Sequence, residues 1–438
     1  MKRFPYAHAS HAQWRVAVER VLAQLRLQLD RPDSARAVSL ALLYITDHYA
    51  EQAQDILEQL SAGLPEVSDW VGTVGVGIAA NNIEYFDQPA LALMLCDLSP
   101  HQYRVFSGVA PLALSPRLTG ADGFVAHTAL VHADGSTPEL AELIAELAQR
   151  TASACVFGGL SSSRSAQLQF AHSSAGTLRG QGAASGVFQG GLSGVAFDAT
   201  AGLLVRVTQG AQPVGRAHRV TAAQGHLVLT LDQRPALDLL FEHLGIAPVR
   251  LAQSIERLRS TLVGLTPPDV PGQALARSAG LAPAVAHSFG PDVLVRHIVG
   301  LDVMRHALVF AEPVAPGSQL AFCQRHVQAA AADLMRICTE VRAELEAQTP
   351  SLPPGGALVR GGAPAFVAPQ SQRIAGAIYV SCAGRGGPHF GAASAELRLV
   401  RRALGDVPLV GFFAGGEIAH QRLLGYSAVL MVFALPLA

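Results

Sequence analysis

The sequence predicts an α+β protein of two domains, each a mixed or antiparallel sheet covered by helices. Three observations support this prediction. The 438 residues exceed what a single hydrophobic core usually holds. Half of the residues are hydrophobic and 15% are charged, which is typical of a folded chain. Short apolar runs alternate with segments of helical periodicity, so strands and helices are expected to alternate as well.

The N-terminal part of the chain carries a helix and then a strand–helix–strand–strand unit. Apolar residues at helical spacing predict an amphipathic helix over 10–29, which Pro32 ends, and residues 1–35 form an N-terminal segment of their own. Continuous apolar runs then predict buried strands, with one helix after the first of them. The strands are 37–46, 70–78 and 89–98, and the helix is 49–64.

The same unit recurs near the C-terminus. It comprises strands at 376–382, 409–418 and 427–435 and a helix at 391–404. The offset between the first strands, from Ala41 to Ala377, is 336 residues, and later positions give nearly the same offset. A looser third copy lies at 124–197. The recurrence favours an internal duplication, in which each copy buries a sheet under a helix and places a glycine-rich turn at a strand end.

The domain boundary is predicted near residue 232. The strand pattern loosens between 198 and 235, and a new helix is predicted at 231–245. The two predicted domains are therefore residues 36–232 and 233–438. Within the second domain, a Pro/Gly-rich segment at 349–372 predicts a loop that is either disordered or a lid.

Charge and lysine content argue against several functions. The net charge is −1 and no basic tract occurs, so we expect no nucleic-acid partner. Lys2 is the only lysine in the sequence. The body of the chain therefore lacks the lysine that Schiff-base, P-loop and kinase chemistry require.

Cysteine and histidine spacing predicts neither a metal nor a cofactor. The five cysteines are scattered without a C-x-x-C pair, and the sixteen histidines never form H-x-x-x-H. The N-terminus has no apolar signal-peptide core, and the apolar C-terminal stretch 423–438 is too short to cross a bilayer. We therefore expect a cytoplasmic protein that does not associate with membranes.

Two glycine-rich turns in the second domain are the strongest candidates for a binding site. The turn "SCAGRG" contributes Ser381, Cys382, Gly384 and Arg385, and the turn "AGGEI" contributes Gly415, Gly416 and Glu417. If the two turns follow neighbouring strands, a cation and an anion would flank one pocket, as suits a zwitterion such as an amino acid. The alternatives are an exposed arginine on an ordinary turn and an Arg–Glu surface pair of little energetic value.

The first domain offers two further candidates. Asp47 and His48 end a predicted strand, although Asp47 could instead cap the helix that follows. The pair Gly158 and Gly159, in "FGGLSSSR", is interpreted as a turn in preference to a phosphate-binding loop. The G-x-G pattern within 73–78 lacks the third glycine and the helix of a dinucleotide-binding fingerprint.

These turns also carry a family resemblance. The second half of the chain, with "YVSCAGRG" and "LVGFFAGGEI", resembles the FIST C-terminal domain, and the first half, from "ALLYIT" through "FGGLSSS" to "LDQRPALDLL", resembles the FIST N-terminal domain. The likeness covers roughly residues 36–435. It implies an intracellular sensory protein that binds a small ligand, such as an amino acid, and signals to a separate partner. The matching positions are Ser381, Cys382, Gly384, Arg385, Gly415, Gly416, Glu417, Phe157, Gly158 and Gly159.

Two departures from the family pattern argue against a thiol-dependent role that spans both domains. Thr73 and Ala211 stand where many relatives have a cysteine. Two other functions remain open at this point. One is an enzyme with Cys382 as nucleophile and Glu417 or His389 as its acid–base partner. The other is a protein-interaction scaffold without a ligand pocket.

Overall fold

The computed structural model describes residues 3–31, 38–112, 123–173, 186–246, 258, 261–268, 293–347 and 372–436. The chain divides into two compact units. Unit 1 comprises Met1–Val207, Leu334–Leu423 and Ala428–Ala438, and unit 2 comprises Thr208–Asp333 and Leu424–Ser427. Unit 2 is thus an insertion in the chain of unit 1. The sequence-based division at residue 232 follows chain order and stays a prediction.

Unit 1 is built from three copies of one repeat. The first copy contains β1 (Tyr6–Ser10), α1 (Trp14–Leu29), β2 (Val38–Thr46), a 3-10 helix (Asp47–Gln52), α2 (Ala53–Gly63), β3 (Asp69–Gly75), β4 (Gly77–Ala80), β5 (Ile83–Phe86) and β6 (Ala90–Asp97). The second copy contains β7 (Tyr103–Phe106), β8 (Thr128–Ala133), α3 (Leu140–Gln149), β9 (Cys155–Leu160), β10 (Leu168–Ser173), β11 (Val187–Gln189) and β12 (Leu192–Phe197).

The third copy is interrupted by unit 2. It begins, after a short 3-10 helix (Ala199–Ala201), with β13 (Leu203–Gln209). Unit 2 follows, with β14 (Ala211–Pro213), β15 (His218–Gln224), β16 (Leu227–Leu231), β17 (Arg234–Pro235), α4 (Ala236–Leu244), β18 (Thr261–Thr266), β19 (Leu294–His297), β20 (Gly300–Asp302), β21 (Ala307–Val309) and β22 (Gln319–Arg325). The copy resumes with α5 (Val327–Ala347), β23 (Gln372–Cys382), a 3-10 helix (Gly387–Phe390), α6 (Ala395–Leu404), β24 (Leu409–Ala414), β25 (Glu417–His420), β26 (Arg422–Leu424) and β27 (Ser427–Pro436).

Each copy forms a sheet with the same strand order. The orders are β1-β6-β2-β3, β7-β12-β8-β9 and β13-β27-β23-β24, and each sheet is extended at its end by a hairpin. The pairs β2/β3, β8/β9 and β23/β24 are parallel, as expected for strands joined through a helix. The three copies therefore confirm the predicted strand–helix–strand–strand unit, including its looser middle copy.

The hairpins are exchanged between the copies in a closed cycle. Hairpin β4–β5 leaves the first copy and pairs with β24 of the third, and β25 of the third copy pairs with β9 of the second. Strand β10 of the second copy pairs with β3 of the first. Each copy thus covers the open edge of another, so the outer strand of each parallel pair is hydrogen-bonded on both sides.

A glycine occupies the same register position in each parallel pair. Gly72 lies opposite Leu43, Gly158 opposite Val131, and Gly411 opposite Tyr379. A Cβ atom at any of the three glycines would lie 1.7–1.9 Å from the carbonyl oxygen of the residue opposite. The interpretation of Gly158 and Gly159 as a turn was therefore wrong. Both residues lie inside β9, where the close approach of β8 requires glycine.

Helices cover the sheets and build the cores. In the first copy, α1 and α2 pack on the sheet through residues such as Val18, Val21, Ile56 and Leu60. In the third copy, α5 and α6 cover the sheet, and in the second copy α3 does. In unit 2, α4 packs on an antiparallel sheet. Mixed and antiparallel sheets covered by helices are the predicted fold class.

The predicted lid or disordered loop falls on 349–371, outside the described residues, and residue 372 begins β23. Among the helices in the described part of the chain, none has the length and hydrophobicity needed to cross a membrane.

Candidate functional site

The carboxyl ends of the three parallel pairs are tied together by hydrogen bonds. The hydroxyl of Thr73 in β3 lies 2.6 Å from that of Ser161, which follows β9. The next hydroxyl, of Ser162, accepts from Val76 N at 3.1 Å and donates to the Phe413 carbonyl in β24. Three distant segments therefore meet. We call this region, formed by residues 46–48, 74–76, 160–164, 382–387 and 414–417, the carboxyl-end junction.

The two predicted turns belong to this junction and follow neighbouring strands. Strands β23 and β24 are parallel, with Cys382 opposite Ala414, and Ala383 N donates to the Ala414 carbonyl at 2.8 Å. Leu160 N donates to Gly416 O at 2.8 Å, which joins the second turn to β9. The predicted juxtaposition of the two turns is therefore correct.

Three rings fill the interior beside the junction. Tyr44, His132 and Phe412 come from β2, β8 and β24, one from each copy, and their ring centroids lie 5.4–5.6 Å apart. The Tyr44 hydroxyl lies 3.3 Å from His132 Nε2. Burial lowers the pKa of His132 to about 3, so this imidazole is neutral at physiological pH.

Arg385 is buried at the centre of a polar network. Its side chain is 1% exposed, and Nε donates to Glu396 Oε1 at 2.7 Å. The same carboxylate, which α6 supplies, accepts from the Tyr379 hydroxyl at 2.7 Å and from Ser381 Oγ at 3.1 Å. The interpretation of Arg385 as an exposed residue on an ordinary turn was wrong, because the side chain is enclosed and ion-paired.

Two further glutamates interact with this polar network. Glu417 is fully buried and begins β25, opposite Gly159. Burial disfavours the charged guanidinium, but Glu396, Tyr379 and Glu417 together raise the pKa of Arg385 above its usual value. Glu84 accepts from the backbone N–H groups of 387 and 397, and burial followed by the charge of Glu396 raises the pKa of Glu84 to about 6. We call Arg385, Glu396, Glu417 and Glu84 the closed cluster.

A second arginine follows β9 and stays accessible. Arg164 is 55% exposed, whereas the side chain of its partner Asp47 is only 3% exposed. The Asp47 carboxylate accepts from Arg164 N at 2.9 Å, from Nε at 2.8 Å and from Nη2 at 2.7 Å. Burial opposes ionisation of Asp47, but these bonds outweigh it and lower the pKa of the carboxyl. The capping interpretation of Asp47 was therefore wrong: no side-chain cap is formed, and the carboxylate holds Arg164.

Two neighbours complete this second site. Arg164 Nη1 lies 2.9 Å from a carboxylate oxygen of Asp87, whose side chain is 82% exposed. His48 Nδ1 lies 3.5 Å from Asp47 Oδ1, and the His48 side chain is 32% exposed. We call Asp47, His48, Asp87 and Arg164 the open cluster. The buried Asp47 carboxylate fixes its cation through Nε and Nη2, and Nη1 donates to the exposed Asp87.

The predicted site residues divide by accessibility. The buried ones are Asp47, Gly158, Gly159, Ser381, Arg385, Gly416 and Glu417. Cys382 is half-buried, and His48, Gly384 and Gly415 are exposed. Sequence reasoning missed Arg164, although it follows a strand end as Arg385 does. It also missed Glu396 and Glu84, whose roles depend on contacts between distant segments.

Comparison with protein families identifies the chain. The FIST N domain matches residues 39–234 and the FIST C domain matches residues 254–420. The chain belongs to the FIST family, whose domains are associated with small-ligand-binding sensory and signalling roles. An uncharacterized protein of Mycobacterium tuberculosis is 28% identical over 407 residues, 90% of this chain and 91% of the relative. An uncharacterized protein of Mycobacterium bovis is 29% identical over 257 residues, 56% of this chain and 54% of the relative.

Proposed function

We propose that this chain is a cytoplasmic sensory protein that binds an amino acid or a similar zwitterion at the carboxyl-end junction and signals to a separate partner. The family association supports the sensory role. The observation that carries the proposal is the open cluster, in which an accessible guanidinium and two carboxylates come together from segments that follow strands of three different sheets.

The ligand carboxylate binds Arg164 Nη1 in place of Asp87. Asp47 holds the guanidinium through Nε and Nη2, so the direction of Nη1 is set before the ligand arrives. Asp87 is easily displaced, since a carboxylate that is 82% exposed gains little from a surface ion pair. Once displaced, the Asp87 carboxylate can accept a hydrogen bond from the ligand ammonium.

The closed cluster has a supporting role in this proposal. Arg385 and Glu417 are enclosed, so a ligand reaches them only after the junction opens. Their charges hold together the segments that follow β23 and β24, beside which the ligand binds. The ligand links Arg164, which follows β9 of the second copy, to Asp87, which follows β5 of the first copy. This linkage shifts the population of conformations that a partner recognises.

A thermal-shift screen of the twenty amino acids tests the proposal. A ligand at about one hundred times its Kd stabilises the folded state by about 2.7 kcal/mol, which raises Tm by roughly 5 °C. The substitution Arg164→Gln should abolish the shift. Gly415→Leu should do so as well, because Gly415 is an exposed residue of the junction and a Cβ atom added there would lie 3.6 Å from the Ser161 carbonyl oxygen, beside the segment that carries Arg164.

Gly108→Leu is the matched control. This glycine is also exposed, with open space around it, and lies outside the junction. The control should keep the full ligand-induced shift. The proposal fails if no amino acid shifts Tm at millimolar concentration, or if Arg164→Gln and Gly415→Leu respond to ligand as the wild type does.

A further inference from the structure

A separate cavity of about 530 Å³ lies in unit 1 at the other end of the strands. Its lining includes Pro408, which precedes β24, whereas the carboxyl-end junction begins where β24 ends. At the rise of an extended strand, Pro408 lies roughly 20 Å from Gly415. The cavity is therefore distinct from the site of the proposed function and has a volume typical of a small-molecule site.

One wall of the cavity is preformed. Strand β1 is an edge strand of its sheet, and α1 satisfies its outward backbone groups. Gln28 Nε2 donates to Tyr6 O at 2.7 Å, and Tyr6 N donates to Gln28 Oε1 at 3.2 Å. Gln24 Nε2 donates to His8 O at 3.3 Å. These bonds fix the strand against the helix, so the wall exists before any ligand binds.

The charged part of the lining favours an anion. Arg3 and Arg31 contribute two guanidinium groups, and Asp406 contributes one carboxylate. Asp406 lies 3.9 Å from Arg3 and 3.3 Å from Arg401, so two cations share its charge. The lining keeps an excess of positive charge, which attracts a carboxylate.

The apolar part of the lining indicates an apolar body on the ligand. Leu27 lies on the solvent side of α1 and is 70% exposed, an uncommon exposure for a large aliphatic side chain beside a cavity. Phe4, Pro5 and Pro408 also line the cavity but are buried, so Leu27 is the exposed aliphatic side chain of this lining. A ligand with a hydrocarbon body would remove Leu27 from water while its charged end met the arginines.

We propose that this cavity binds an organic anion that carries one carboxylate on an apolar body of medium length. The carboxylate lies between Arg3 and Arg31, and the hydrocarbon lies against Leu27. The site is independent of the amino-acid site, since it shares no residue with the carboxyl-end junction.

Isothermal titration of the full chain with octanoate and with octylammonium tests this inference. Octanoate should bind with a Kd of millimolar or below, and octylammonium, which has the same chain length and the opposite charge, should not bind. The double variant Arg3→Gln/Arg31→Gln should weaken octanoate binding at least tenfold. Leu27→Glu should do the same, and its exposure makes it compatible with folding.

Arg20→Gln is the matched control, because Arg20 is an exposed arginine on the same helix and does not line the cavity. It should leave the octanoate Kd unchanged. Equal octanoate affinity in the wild type and the double variant would overturn the proposal, and so would binding of octylammonium as tight as that of octanoate. Neither outcome would bear on the amino-acid screen, which uses a different site and different probes.

Discussion

The closed and open clusters place the same kind of residue in opposite environments. Arg385 and Arg164 each follow the end of a central strand of the repeat, and each is paired with a buried carboxylate. Arg385 is 1% exposed and pairs with the buried Glu396, whereas Arg164 is 55% exposed. Arg385 follows β23, the first strand of its parallel pair, and Arg164 follows β9, the second strand of its pair. An arginine at a strand end of the repeat can thus serve cohesion in one copy and ligand access in another.

The physical reason for the difference lies in what covers each arginine. The helix α6 supplies Glu396 and the exchanged hairpin β4–β5 supplies Glu84, so the closed cluster is enclosed by two elements. The open cluster has the buried Asp47 beneath it and the exposed Asp87 at its other side. Removal of a partner from a buried pair leaves an uncompensated charge, whereas an exposed pair is compensated by water.

The largest expected effect is therefore on stability. Arg385→Ala should lower the free energy of unfolding by about 3–5 kcal/mol, because Glu396 and Glu417 would keep buried charges without their cation. Arg164→Ala should cost about 1 kcal/mol, since water replaces most of what its exposed side chain provides. Urea unfolding measures both. Equal losses of unfolding free energy in the two variants would contradict the difference in burial between the two clusters.

A methyl group added to a glycine near the clusters should lower stability only where two strands lie in close contact. Gly411→Ala places a Cβ at 1.8 Å from the Tyr379 carbonyl oxygen, so β23 and β24 must separate, at a cost of about 2–3 kcal/mol. Gly415→Ala, four residues later, has its nearest neighbour at 3.6 Å and should be neutral within about 0.5 kcal/mol. Chemical unfolding of both variants is the measurement. A neutral Gly411→Ala would contradict the close approach of the two strands.

The stability that each cluster contributes should also change with pH, in opposite directions for the two clusters. The pKa of Glu84 in the closed cluster is raised from 4.5 to about 6, so the folded state binds this proton more tightly than the unfolded state. Acidification from pH 7 to about 4.5 should therefore add up to about 2 kcal/mol of stability from this group. The pKa of Asp47 is lowered, so its contribution is present above the unfolded pKa and is lost as pH falls through the folded value.

The substitution Glu84→Gln isolates the pH-dependent contribution of Glu84 to stability. The difference in unfolding free energy between this variant and the wild type, measured from pH 4.5 to 7, should grow with pH in favour of the variant. A difference that does not change with pH would show that Glu84 keeps its ordinary pKa in the folded state.

The smallest expected effect is that of Asp87, the most exposed residue of the open cluster. Asp87→Asn removes the charge that competes with the ligand carboxylate for Arg164, while the amide oxygen of Asn can still accept a hydrogen bond from the ligand ammonium. Affinity for the ligand should therefore rise a few-fold, and stability should change by less than about 0.5 kcal/mol. Titration of the variant with the amino acid selected in the thermal-shift screen measures this. A large loss of affinity would show instead that Asp87 supplies the main contact to the ligand ammonium.

Local signals explain what could be predicted from the sequence. Continuous apolar runs marked the central strands of all three copies, and helical periodicity marked α1, α2, α3 and α6. Hairpins β4–β5, β10–β11 and β25–β26 were missed, because their strands have only three to six residues and pair with distant partners. The insertion of unit 2 was also missed, since compactness depends on contacts that no local pattern records.

The candidate site was predicted in part for the same reason. Glycine-rich strand ends identified both Arg385 and Glu417, and the parallel pairing brought their turns together as expected. Burial of Arg385 depends on Glu396, which in the sequence is one more acidic residue near the start of a helix. Arg164 follows the same strand-end rule as Arg385, so a uniform search of all strand ends would have found it.

Hydrogen exchange with and without the selected amino acid tests most directly whether the open cluster is the binding site. Peptides that contain 45–49 and 161–164 should exchange more slowly when ligand is bound, while those that contain 383–387 should keep their rate. Protection confined to 383–387, or the absence of protection at both 45–49 and 161–164, would contradict the assignment of ligand binding to Arg164, which Asp47 holds in place.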